Sequence, residues 1–292
     1  MEIVSLQDFL TYPDPEWRID QIFESQGLVG LYGATWSGKS FVALDWALSI
    51  AAGIPWQSKA VVQGPTVYVA AEGAFGLRSR AQAWLDHHRG ATGLSEPFRE
   101  ALENPPILFL IETLPMLEGG AEDLVETLLE MDVYPKLVVI DTLARCFVGG
   151  DENEAADMSQ FVASAGTIQV EVGATVVVVH HVGKDETKEE RGSSVLRAAA
   201  ETMIRVEMPQ RGKVELTCTK QKNAEGFAQR IQLRLQKVGN SCVLVEGHTM
   251  STKKDIQEIK KAGGSTKFQA RQLSLLTGHS VSACESMLRR AQ

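Results

Sequence analysis

The run Gly33-Ala34-Thr35-Trp36-Ser37-Gly38-Lys39-Ser40 limits this chain more than any other feature. It fits G-x-x-x-x-G-K-[ST], and its flanks fit as well. An apolar stretch over 28–32 reads as a strand before it. Residues 40–52 read as a helix after it, with Phe41, Leu44, Leu48 and Ala51 on one face and a stop at Gly53 and Pro55. A strand, a glycine loop and a helix in that order make a phosphate cradle. Backbone N–H groups of the loop and of the helix N-terminus surround the phosphates, and the glycines allow close approach. In this reading residues Gly33 through Ser40, with Phe41, contact the nucleotide. Lys39 brings positive charge to the β- and γ-phosphates, and the Ser40 hydroxyl ligates Mg²⁺. Trp36 adds nothing to phosphate binding, so the expectation is packing in the core or at an interface rather than stacking on a base.

Other segments tell which architecture holds the loop. Residues 66–71, 137–141 and 174–180 are apolar, rich in β-branched residues and bounded by turn formers, and 107–111 joins them as a strand. Helices are expected over 77–88 and 121–131. Buried strands alternating with helices imply an α/β fold with a mostly parallel sheet covered on both faces. Beyond residue 200 the spacing tightens. Residues 202–208, 213–220, 230–237 and 242–246 read as strands with hairpin turns at Gln210-Arg211-Gly212 and Gly239-Asn240, an antiparallel extension of the sheet. Residues 1–247 thus form one domain, 248–267 a polar linker, and 268–292 a small helix-turn-helix around Gly278, a truncated winged helix in outline.

Composition sets the class. At 44% hydrophobic and 23% charged residues the chain is an ordinary folded protein rather than a disordered one. No apolar run reaches the roughly 20 residues of a membrane span, and the first residues hold no signal-peptide core. Four scattered cysteines without a CxxC pair point to a reducing, cytoplasmic setting and away from a structural zinc. Net charge is −8, unevenly spread. In 251–292 eight lysines and arginines face three acids, so this tail carries +5 and the rest −13. Either an anionic partner for the tail or a solvated lysine-rich linker accounts for that.

Three strand ends supply the remaining chemistry. Asp141 closes 137–141 and is expected to hold Mg²⁺ through water. Thr142, not a glutamate, follows it, so the catalytic base is sought elsewhere. Glu72, at the end of 67–71, is the candidate for polarising the attacking water. His180 and His181 end the next strand and point to opposite faces. One is a polar sensor near the γ-phosphate while the other packs, and His181 is favoured as the sensor because it lies nearer the loop.

The phosphate loop, Glu72, the non-acidic residue after Asp141 and the histidine pair together resemble the RecA-like ATPases. Val69-Ala70-Ala71-Glu72, Ile140-Asp141-Thr142-Leu143, His180-His181 and Arg191-Gly192-Ser193-Ser194-Val195-Leu196 are similar to the plasmid RepA-type hexameric replicative helicases over roughly residues 15–240. The resemblance implies a RecA-like P-loop core that uses ATP with Mg²⁺ as a homo-hexameric ring. It implies translocation on single-stranded DNA in plasmid or phage replication, alongside other replication proteins and without a membrane. It places 143–157 and 182–193 toward the central channel. In those helicases the segment matching Lys220-Gln221-Lys222-Asn223 reaches a neighbouring subunit's γ-phosphate, so Lys220 and Lys222 join the expected catalytic set, with a lysine at 222 in place of an arginine finger. The expected channel segments are not strongly basic, since Lys184, Lys188 and Arg191 are offset by Asp185, Glu186, Glu189 and Glu190.

Two alternatives stand beside the motor. One is a recombinase-like or loader ATPase that remodels DNA without unwinding it. The other is an ATP-switched DNA-binding regulator, in which the C-terminal helices contact duplex DNA or a protein partner.

Overall fold

The structure is a computed structural model and describes residues 3–12, 16–91, 96–181, 194–227 and 229–247, with a few isolated positions beyond 264. A short helix α1 (Leu6–Phe9) and a ribbon of β1 (Trp17–Ile19) and β2 (Phe23–Glu24) come first. Then follow β3 (Leu28–Gly33), α2 (Lys39–Ala52), β4 (Thr66–Ala70), α3 (Ala74–Arg89), α4 (Glu96–Glu103), β5 (Ile107–Leu110), α5 (Gly120–Glu130) and β6 (Leu137–Asp141). The chain continues through α6 (Leu143–Cys146), α7 (Ala155–Val172), β7 (Thr175–His181) and α8 (Ser194–Ala199). It closes with β8 (Thr202–Gln210), β9 (Lys213–Gln221), β10 (Ile231–Val238) and β11 (Ser241–Glu246).

Nine strands form one sheet in the order β11-β10-β9-β8-β3-β7-β6-β4-β5. The six from β8 to β5 are parallel, and β9, β10 and β11 extend the sheet antiparallel. This is the expected α/β architecture. Every residue of β3, β4 and β6 is buried, as a sheet covered on both faces requires. Alternate residues feed two cores. Val139, Val177 and Val179 pack toward α2, and Val138, Val176 and Val178 toward α5 and α7. The expected linker, 248–267, and helix-turn-helix, 268–292, lie outside the described residues apart from isolated positions, as does the expected channel segment after His181.

The helices α1, α4, α6 and α8 were not expected, and two longer helices also differ from the sequence reading. Of the face read for α2, Leu44, Leu48 and Ala51 are buried and Phe41 is half-buried, and burial extends well beyond that face. All its residues except Ser40 and Phe41 are buried, because it packs against the sheet, the edge strand β11 included, and against α3 and α4. α7 was not anticipated at all. Its buried Met158, Phe161, Ala165, Ile168 and Val172 keep the helical 3–4 spacing. Gly166 and several β-branched residues weaken its local propensity, and the exposed Val170 blurs the pattern.

Burial of α2 on all sides brings Asp45 inside. Each of its carboxylate oxygens accepts an indole N–H at 2.7 Å, Oδ2 from Trp56 and Oδ1 from Trp84. Removal from water nonetheless dominates and pushes the Asp45 carboxyl up to about 7, against the two hydrogen bonds. The Trp84 ring stacks on His88 at 3.9 Å, and burial pushes that imidazole down to about 4. Folding therefore raises the Asp45 pKa from its ordinary value near 3.8, so its contribution to stability is complete below about 4 and is lost as pH rises toward 7. His88 acts in the opposite sense over part of that window, so the comparison must be between variants. Asp45→Asn is expected to remove a downward slope of stability with pH between about 4 and 7. Urea melts of both proteins at pH 5 and pH 8 measure it, and parallel pH dependences would contradict it.

Candidate nucleotide site

Parallel strands place their carboxyl ends along one edge, and the candidate residues collect there. The phosphate loop leaves β3, Glu72 follows β4, Asp141 ends β6 and His181 ends β7. Strand register fixes their spacing: Ala70 pairs with Asp141, Asp141 with Val179, and Gly33 with His181. The loop glycines are sterically required. A Cβ on Gly33 would lie 2.1 Å from the Val206 carbonyl oxygen. Gly38 holds φ 100° at the start of α2 and gives that helix no side-chain cap, which suits an end meant for phosphate.

Lys39 is 3% exposed. Its ammonium donates to the carbonyls of Gly33 at 2.9 Å and Ala34 at 2.8 Å, and lies 3.1 Å from His181 Nδ1. Burial pushes the Lys39 ammonium down to about 8, against the pull of Asp141 and Glu72. Burial and the Lys39 charge together lower the His181 imidazole and favour its neutral form, whose Nδ1 accepts a hydrogen bond from the lysine ammonium. His180 points to the other face, is buried and is lowered to about 4. His181 stands at hydrogen-bond distance from Lys39, whose charge lowers both imidazoles.

Asp141 is 2% exposed. Its Oδ2 accepts the Tyr68 hydroxyl at 2.6 Å, and the Ser40 hydroxyl lies near enough to favour the carboxylate. Burial raises its pKa, opposed by the Tyr68 and Ser40 hydroxyls and by the charges of Arg80 and Lys39. Asp141 Oδ1 is buried and finds no partner among the described residues, as do the Ser37 and Thr142 hydroxyls. A hydroxyl and an unpartnered carboxylate oxygen are hard oxygen donors that suit Mg²⁺, which keeps several waters of its own. Ser40 and Asp141 thus fit the ion, which when bound would neutralise charge on the β- and γ-phosphates.

The remaining expected residues are placed less simply. Glu72 is exposed, and its Oε2 lies 3.8 Å from Arg145 Nε on α6, a partner the sequence reading missed. Trp36 does not pack in this chain's core, which corrects half of that expectation: the indole is 88% exposed, on a residue at φ 68°. Phe41 faces α3, where the Arg80 guanidinium sits 4.4 Å from its ring centroid. Lys220 and Lys222 are not brought to the loop of their own chain. Lys220 pairs in register with Met203, three residues back from the loop edge, and donates to the carbonyls of Arg197, Ala198 and Ala200. Those bonds cap the C-terminal end of α8. Lys222 lies 3.5 Å from Glu201 Oε1.

A P-loop at the edge of this sheet, with a buried lysine and a strand-end aspartate, defines a RecA-like P-loop ATPase. The family model for the AAA domain matches residues 4–187, and the chain belongs to that family. Among solved structures it is similar to a KaiC-like protein from the hyperthermophilic archaeon Pyrococcus horikoshii. That likeness has a TM-score of 0.51 and 16% identity over 76% of this chain and 91% of the other, which is a likeness of fold. Among the described residues no helix is long and apolar enough to cross a membrane.

Lys39→Ala is expected to lower steady-state ATP hydrolysis more than tenfold, an effect above about 1.4 kcal/mol. Glu72→Gln is expected to keep Mg·ATP binding and lose turnover, since an amide cannot take the proton. Turnover assays with a fluorescent nucleotide-binding control check both, and normal hydrolysis by Glu72→Gln would move the base elsewhere.

Proposed function

We propose that the chain is an ATP-driven DNA translocase that works as a hexameric ring on single-stranded DNA, with each nucleotide completed by a neighbouring copy. The observation that carries the reading is the open side of the site. Ala34, Thr35 and Trp36 of the loop, Glu72, and Phe75 at 99% exposure all face solvent. Phosphoryl transfer gains from an enclosed site in which water is replaced by fixed dipoles. A second copy laid over that face supplies the enclosure and gives Trp36 an apolar contact. Lys220 and Lys222, set away from their own loop, would serve such an arrangement by leaving the α8 carbonyls and Glu201. In this reading His181 senses the γ-phosphate through Lys39, and Glu72 polarises water once it leaves Arg145. Replication of a plasmid or phage, with other replication proteins, is the setting that the helicase resemblance suggests.

A second reading, an ATP-switched regulator, has its own support. The segment 143–157 carries Arg145 against Asp151, Glu152, Glu154 and Asp157, a poor surface for a polyanion. Forked DNA separates the two. ATP-dependent strand separation with a native mass six times the 31.9 kDa chain supports the motor, and duplex binding with slow hydrolysis by a smaller species supports the regulator.

Subunit mixing tests the shared site. Lys222→Ala is the variant of choice, because removing Lys220 would also uncap α8. Lys222→Ala protein is expected to be poorly active alone and to regain ATPase when mixed with Lys39→Ala protein. If mixed rings form and activity stays at the sum of the two mutants, the trans-acting role is wrong.

A further inference from the structure

Tyr68 is a fully buried residue of β4 that no part of the nucleotide reading uses. Register explains where its hydroxyl goes. Tyr68 stands opposite Val139 on β6, and Asp141 is two residues further along the same face. A diagonal neighbour of that kind lies about 7–8 Å away, within reach of an aromatic side chain. The hydroxyl arrives at Asp141 Oδ2 at 2.6 Å. The ring is seated independently by its own packing, tilted against Phe109 at 6.0 Å between centroids.

The two oxygens of Asp141 are thereby made different. Oδ2 is taken by the phenol, whereas Oδ1 is buried and has no partner among the described residues. Ser40, the other candidate ligand, lies close enough for its hydroxyl to favour the Asp141 carboxylate. The carboxylate is tied to the sheet through one oxygen and offers the other. Without the phenol, Asp141 would lose the bond that sets its rotation. Partners of this kind orient a ligand and are typically worth about 10–100-fold in metal affinity.

We propose that Tyr68 is a positioning residue for the metal site, its hydroxyl holding Asp141 so that Oδ1 faces the ion beside Ser40. The inference rests on the ATPase reading of the P-loop and adds a role for a residue on a neighbouring strand. The test is Tyr68→Phe, which keeps the ring and removes only the hydroxyl. Binding of a fluorescent ATP analogue is titrated with Mg²⁺, and measured separately in EDTA. The expected result is a Mg²⁺ midpoint raised about 10–100-fold, with affinity in EDTA within about twofold of wild type. In an Asp141→Asn background, adding Tyr68→Phe is expected to shift the midpoint no further. An unchanged midpoint overturns the proposal, and so does an equal loss with and without Mg²⁺. A further shift in the Asp141→Asn background would place the action of Tyr68 elsewhere and overturn it too. A Tyr68→Phe chain that circular dichroism shows unfolded makes the hydroxyl a structural necessity and likewise overturns the positioning role. Failure of the wild-type protein to bind nucleotide in either condition would instead sink the P-loop reading itself.

Discussion

The burial of α2 on every side is the constraint from which the rest follows. A helix that begins at a phosphate loop needs one end open, yet here the body of the helix is enclosed by sheet, α3, α4 and β11. Enclosure fixes the axis of the helix and so the direction in which its first N–H groups point. It also obliges the one carboxylate along its length, Asp45, to find internal donors, and both come from tryptophans. The pair of indoles fastens the helix to the segment after it and to α3. α3 in turn carries Arg80, whose charge reaches Asp141. The antiparallel strands are therefore part of the catalytic scaffold: without β11, one wall of α2 would be missing.

Charge at the site is organised by the same enclosure. Lys39 has lost most of its water and replaces it with two loop carbonyls and a neutral imidazole. A buried ammonium held by three weak acceptors is poised to exchange them for phosphate oxygens, because a charged acceptor is the stronger partner. Asp141 is the complementary case, an acid in a dry setting held by the phenol at one oxygen. Glu72 differs from both. It stays in solvent beside Arg145, where an exposed ion pair is worth little and is readily exchanged.

Much of this was legible in the sequence, and what was missed has physical reasons. Strand β6 matched its expected range because a wholly apolar run ending in an aspartate leaves little choice of ends. The phosphate loop was plain because its glycines are needed wherever it occurs, as the clash of a Cβ at Gly33 with Val206 shows. Tyr68 and Asp45 were invisible. Each matters through a partner that strand register or helix packing brings near, and neither is close to that partner in the chain: 73 residues separate Tyr68 from Asp141. Arg145 went unremarked because the resemblance marked its segment for the channel rather than for Glu72. The helix α7 was missed although its spacing was present, since Gly166 and the β-branched residues argued against it locally. Tertiary burial outweighed propensity there.

The cap on α8 has a thermodynamic consequence. Lys220 commits its ammonium to three carbonyls at the end of a six-residue helix. Any anion that claims this cation must first strip those contacts, so its apparent affinity is reduced by the free energy that the cap gives α8. Reciprocity makes the statement run both ways: whatever loosens α8 raises the affinity of Lys220 for the anion by the same factor. The helix and the lysine form a single balance, readable from either arm.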